Sequence, residues 1–171
     1  MTVSFGFPAA ASPDAKLLIL GSLPGQRSLE VQQYYAQPRN AFWPLMGNLL
    51  GVDPSACYAD RLRGLNARGI ALWDVCASAH RVGSLDQRIE LSSVRLNDFE
   101  LFFETHPKIA LICFNGATAA SLYQRLVLPT LPIRAAAIAS QRLPSTSAAH
   151  ASLTFAQKQE KWRTALASCL D

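Results

Sequence analysis

Gly21-Ser22-Leu23-Pro24-Gly25 follow directly on the apolar run Leu17-Leu18-Ile19-Leu20. A glycine-bounded turn at the end of a buried strand is where an α/β protein builds a ligand site, because the backbone can approach a bound group closely there. Close behind come Tyr34-Tyr35 and Asn40-Ala41-Phe42-Trp43. The amide can orient a water, and the aromatics can stack on a planar base or simply fill a core. Asp74 ends a second apolar run, where a carboxylate needs solvent or a partner, and Arg81 is near enough in sequence to pair with it. Asn115-Gly116 ends a third. Leu143-Pro144-Ser145-Thr146-Ser147-Ala148-Ala149-His150 gathers hydroxyls ahead of the final helix, a composition suited either to capping that helix or to binding phosphate oxygens. Asn40 likewise reads either as a helix cap or as a site residue. None of the three histidines stands in a metal or triad pattern.

These residues need a scaffold, and the hydrophobic pattern supplies one. Continuous apolar runs at 17–20, 70–75, 109–114 and 133–139 predict strands covered on both faces. Between them, helical spacing covers 41–50, 55–67, 97–104 and 117–126, with Gly69 beyond the end of the second. A last helix over 155–169 places Phe155, Trp162, Leu166 and Cys169 on one face and leaves Gln157, Lys158 and Lys161 to water. The stretch 129–132, bounded by Pro129 and Pro132, reads as a loop into the last strand. This alternation predicts an α/β fold, a three-layer α/β/α sandwich around a central, mainly parallel four-stranded sheet. Its strand-end segments, 21–25, 74–79, 115–118 and 143–150, then converge on one edge.

The chain has 171 residues, half of them apolar, which suffices for one full core and leaves little for a second. One domain over 1–171 is expected. A net charge of +4, with a pI near 9.1, gives a surface that attracts anions without specifying nucleic acid. Cys57, Cys76, Cys113 and Cys169 are too widely spaced for a zinc or iron–sulfur ligand set, and Cys76 and Cys113 lie in or beside apolar runs. The thiols are expected to be reduced and metal-free. No stretch approaches the roughly 20 apolar residues of a membrane span, and no signal-peptide pattern opens the chain. A soluble, cytoplasmic protein with no membrane partner is expected.

Taken together, the segments resemble the uracil-DNA glycosylase superfamily over most of the chain, from about residue 17 to 162. Gly21-Ser22-Leu23-Pro24-Gly25 is similar to that family's first motif, a strand followed by a Gly-x-x-Pro turn, and Leu143-Pro144-Ser145-Thr146-Ser147 to its Pro-Ser loop. Pro38-x-Asn40-x-Phe42-Trp43 resembles the mismatch-specific members. GSLPGxxS followed by QYYAxPxNxFW is most like the hypoxanthine (deoxyinosine) branch. Where the uracil and mismatch branches carry a catalytic Asp or Asn before the first-motif proline, this chain has Leu23, which cannot polarise water. The hypoxanthine branch lacks that residue too, and there the asparagine matching Asn40 is the implied catalytic group.

The resemblance implies a monofunctional glycosylase acting on DNA, single- or double-stranded, that contains a deaminated base. It implies a monomer working by base flipping, with no metal and no redox cofactor. Asp74 falls where relatives carry an asparagine that reads the base, and as a carboxylate it would accept the N1–H of hypoxanthine. Phe42 matches the aromatic that stacks on the extruded base, Ser22 and Leu23 line the same site, and Asn115 touches base or backbone. Pro144, Ser145, Thr146, Ser147 and His150 would contact DNA phosphates; with alanine a poor wedge, His150 or another loop fills the gap left by the base. No lysine lies in the matched motifs, so no Schiff-base lyase step is expected. Three alternatives stay open: excision of uracil or mismatched thymine by another water-holding residue, a non-catalytic DNA-binding module, and last, because the sequence has neither GxGxxG nor GxxxxGKS, a nucleotide-binding α/β domain.

Overall fold

The computed structural model describes residues 2–169. In chain order the strands are β1 (Val3–Phe5), β2 (Leu17–Gly21), β3 (Ile70–Asp74), β4 (Cys76–His80), β5 (Arg95–Leu96), β6 (Leu111–Asn115) and β7 (Ala139–Leu143). The helices are α1 (Gln26–Val31), α2 (Phe42–Leu50), α3 (Tyr58–Ala67), α4 (Phe99–Thr105), α5 (Ala117–Leu122), α6 (Ile133–Ala136) and α7 (Phe155–Ala165).

Strands β3, β2, β6 and β7 form a four-stranded parallel sheet in that spatial order. The chain moves from β2 to one side to make β3, then crosses to the other side for β6, so the strand order reverses beside β2. Such a reversal opens a crevice at the carboxyl ends of the strands. Alternation along the buried strands feeds two cores. Leu18, Leu20, Ala71, Trp73, Ile112 and Phe114 pack with Phe99, Phe102 and Phe103 of α4 and Ala119, Ala120 and Leu122 of α5. Leu17, Ile19, Ile70, Leu72 and Cys113 pack with Phe42, Leu45 and Met46 of α2, Leu65 of α3 and Trp162 of α7. Helices thus cover both faces of the parallel sheet, as the uninterrupted apolar runs predict. Each fully buried Leu, Ile or Phe contributes about 1.5–3 kcal/mol relative to exposure.

The last strand departs from expectation. Residues 133–136 form α6, started by Pro132 and carried by alanines, and the strand lies six residues later, at Ala139–Leu143. β7 is a sheet edge, exposed at Ala139, Ser140, Gln141 and Arg142, so it has no apolar run to mark it. The stretch 129–132 therefore leads into a helix, not a strand. Residues 76–79 are likewise not a strand-end loop but part of β4, which pairs antiparallel with β1 and β5 in a second, three-stranded sheet. On the final helix, Thr154 caps α7 in a reciprocal capping box with Gln157, and Phe155 is exposed. Lys158 is buried instead of wet, its ammonium donating to the Ser147 carbonyl oxygen at 3.3 Å.

Candidate active site

A cleft of about 320 Å³ opens at the carboxyl ends of the parallel strands. Its walls are the Gly21–Gly25 turn, Tyr34 and Tyr35, Asn40, Asp74, Ser84 to Gln87, Asn115 to Thr118, and Ser145, Thr146, Ser147, Ala149 and His150. Parallel register sets Gly21 beside Asp74 and Asn115 beside Leu143, so the residue ending each run arrives at one level.

The first turn is held from behind. Its Gly21 and Ser22 carbonyls accept from the N–H groups of Val75 and Cys76 at 2.9 and 3.0 Å. Arg81, with no exposed side-chain surface, donates to the carbonyls of Leu23, Pro24 and Gly83. Its charge lies 3.9 Å from Asp86, not against Asp74 as the sequence suggested. Asp86 in turn accepts the Ser22 hydroxyl at 2.7 Å. Nothing in the sequence around Asp86 flags it; only the fold carries its loop to the cleft. Leu23 lines the cleft as an almost buried apolar side chain.

Asp74 is 4 % exposed, and its Oδ2 has no hydrogen-bond partner among the described residues. Burial first, then the charge of Asp86, pushes its carboxyl up to about 7, with Arg81 opposing. A Cβ on Gly21 would lie 2.4 Å from Asp74 Oδ1 and 3.4 Å from the Tyr35 hydroxyl, so only glycine lets both side chains approach this point.

Asn40 precedes α2, whose N-cap position is Ala41. Its Oδ1 accepts from the Phe42 N–H at 2.9 Å, a side-chain turn one residue ahead of the cap, so Asn40 is not the N-cap that its sequence position suggested. One lone pair of Oδ1 and both Nδ2 protons remain for a ligand or water in the cleft. The Ala41 N–H donates to the Thr146 carbonyl at 2.9 Å, tying this segment to the Pro-Ser loop.

Asn115 and Thr146 form a closed pair. Asn115 Nδ2 donates to Thr146 Oγ1 at 3.0 Å, and the Thr146 N–H donates to Asn115 Oδ1 at 2.9 Å. Both are buried, so these side chains bind the loop to β6 instead of reaching outward. Gly116 adopts φ +100°, and a Cβ there would meet the Ser145 Cβ at 3.1 Å. The Pro144 carbonyl accepts from Trp162 Nε1 at 3.0 Å; Pro144 itself does not line the cleft. Ser145, Ser147 and His150 stay on the wall, with the loop's hydroxyls partly turned to its own backbone. The cap of α7 is Thr154, which lies beyond this hydroxyl-rich segment.

Phe42 does not face the cleft. It is fully buried, and Tyr35 lies over it ring to ring at 4.0 Å between centroids and 23° between planes. Helix α2 points Phe42 inward with Leu45 and Met46, because these share one face at helical spacing.

Fold and cleft together define an α/β protein whose site lies at a strand-order reversal, with an amide, a carboxylate and two proline-bearing turns facing one another. Residues 8–168 match the family model for the uracil DNA glycosylase superfamily. A "Hypoxanthine DNA glycosylase" of Methanosarcina acetivorans is 39% identical over 146 residues, covering 85% of this chain and 87% of that protein. One of the same name from Methanosarcina barkeri is 39% identical over 112 residues, 65% of this chain and 70% of that one. A solution NMR structure of a Methanosarcina acetivorans protein superposes with a TM-score of 0.77 at 35% identity, covering 95% of this chain and 98% of that one. The chain belongs to the uracil DNA glycosylase superfamily.

Proposed function

We propose that this chain is a monofunctional DNA glycosylase that hydrolyses the N-glycosidic bond of hypoxanthine in DNA. The observation that carries the reading is the convergence of Asn40 and Asp74 in one cleft between the two proline-bearing turns. The name shared by the two Methanosarcina relatives supports the choice of base.

Cleavage passes through an oxocarbenium-like sugar, so the site must hold a water against C1′ and stabilise the departing base. Asn40, fixed by the Phe42 N–H, holds that water through its free amide protons and remaining lone pair. An amide is a weak base, and positioning is enough when the base departs early. Asp74 accepts the N1–H of the extruded hypoxanthine, and Ser22 and Leu23 close the same side of the pocket. Asn115 acts through Thr146, shaping the loop that meets the DNA backbone. Ser145, Ser147 and His150 are the loop's groups for phosphate oxygens. Among the described residues no lysine lines the cleft, which supports release of an abasic site without strand cleavage. The chain acts alone, as one domain, and its free thiols suit a reducing cytoplasm.

Duplexes carrying a single hypoxanthine, uracil or G·T mismatch, treated with the protein and then with alkali, test this directly. Hypoxanthine duplexes should be cut fastest, and hot alkali should be needed to break the strand. Strong uracil cutting with no hypoxanthine cutting would overturn the proposal.

A further inference from the structure

We infer that Arg81 is a positioning residue for the glycosylase reaction: from behind the cleft its guanidinium locks the 82–86 loop onto the Gly21–Gly25 turn and so fixes one wall of the base pocket. The inference rests on the glycosylase reading and adds to it a residue that touches neither the base nor the water. Arg81 does not line the cleft, and its side chain has no exposed surface. Burying a guanidinium costs free energy unless its donors and charge are met, so the partners of those donors are informative.

The donors go to the turn. Residues 22–25 lie between β2 and α1, outside either element, yet every carbonyl from Gly21 to Gly25 is taken. Gly21 and Ser22 accept from the N–H groups of Val75 and Cys76, and Gly25 accepts from the Leu29 N–H at 3.0 Å. The two left over, Leu23 and Pro24, accept from Arg81, Leu23 at 3.3 Å. Arg81 Nε donates to the Gly83 carbonyl at 3.0 Å, so a single side chain spans turn and loop. Two further bonds close the joint: Ser22 Oγ donates to Asp86 at 2.7 Å, and the Gln26 N–H donates to Ser84 Oγ at 2.9 Å. Arg81 is itself held at its backbone, bridged to Ile89 across the base of the loop. Gly21 lies beside Asp74, and Ser22 and Leu23 line the same cleft, so a shift of this turn would move the contacts around the base.

Arg81→Met, which keeps an apolar stem and removes the donors, tests this. Single-turnover excision from a hypoxanthine duplex is measured beside affinity for a duplex carrying a tetrahydrofuran abasic analogue, and amide hydrogen exchange is followed in the free proteins. The excision rate should fall by about a hundredfold, the cost of a misplacement of about 1 Å, with affinity for the abasic duplex within about twofold of wild type. Exchange of the Val75, Cys76 and Gln26 amides should quicken by about tenfold or more, while Ile19 and Cys113 in the sheet keep their protection. Excision at the wild-type rate by folded Arg81→Met, a loss of abasic-duplex affinity as large as the loss of rate, or unchanged exchange at all three amides would each overturn the inference. Should Arg81→Met not fold, Asp86→Ala, which cuts the Ser22 tie at a partly exposed position, decides by the same readouts. Wild-type protein that fails to excise hypoxanthine would instead overturn the glycosylase reading, and amide exchange would still decide whether Arg81 holds the turn.

Discussion

Asp74 is a carboxylate placed where its charge is disfavoured, and that has consequences for both activity and stability. With its carboxyl at about 7, the group gains its full acceptor charge only above neutrality. Hypoxanthine excision should therefore fall as pH drops through about 7, and Asp74→Asn should lower the rate and flatten that limb; single-turnover rates across pH check both. The stability effect has a definite sign. The ordinary carboxyl value is 3.8, so the unfolded chain loses this proton well before the folded protein does. Between about 4 and 7 the folded state binds more protons, and rising pH favours unfolding. Asp74→Asn should raise the melting temperature above pH 7, with the gain vanishing near pH 4. At this scale the sequence made Asp74 legible, because a carboxylate ending an apolar run needs an explanation. It could not tell Tyr35 from Phe42 as the cleft's aromatic: both are flat rings in one short stretch, and only the fold sets Tyr35 on the cleft wall with Phe42 buried behind it.

The Asn115–Thr146 side-chain pair fastens the Pro-Ser loop to the end of β6. Thr146→Val keeps the shape but leaves Asn115 Nδ2 buried without an acceptor, at a cost of about 1–3 kcal/mol. Denaturant melts should show that loss, and affinity for duplex DNA should fall with it. Strands β2 and β3 and most of β6 were legible because both faces are covered, which makes their side chains continuously apolar. β7 was not, because an edge strand need not be apolar, while Ile133, mistaken for its start, is 90% exposed on α6. The β1–β4–β5 sheet was not legible because β1 and β5 are three and two residues long and β4, of small and polar side chains, makes no apolar run. The sequence offered Asn40 as the cap of α2; the cap is Ala41, and the Asn40 side chain instead closes a turn onto the Phe42 N–H.

For the molecule as a whole, a charge of +4 is a modest attraction for DNA. If about three to five phosphates are neutralised, a plot of log affinity against log salt should have a slope of about −2.7 to −4.5, and a slope near zero would count against a DNA partner. The three-layer architecture followed from alternation of strand and helix, and the two cores on either side of the sheet bear it out. What that architecture does is bring the strand-end segments and those carrying Asn40 and Asp86 to one edge, where we propose that a carboxamide, not an acid, holds the attacking water. The most direct measurement is single-turnover excision from a hypoxanthine duplex by Asn40→Ala, with affinity for the same duplex measured alongside. A fall in rate of about a hundredfold to a thousandfold at unchanged affinity is predicted. Excision at the wild-type rate would contradict the account.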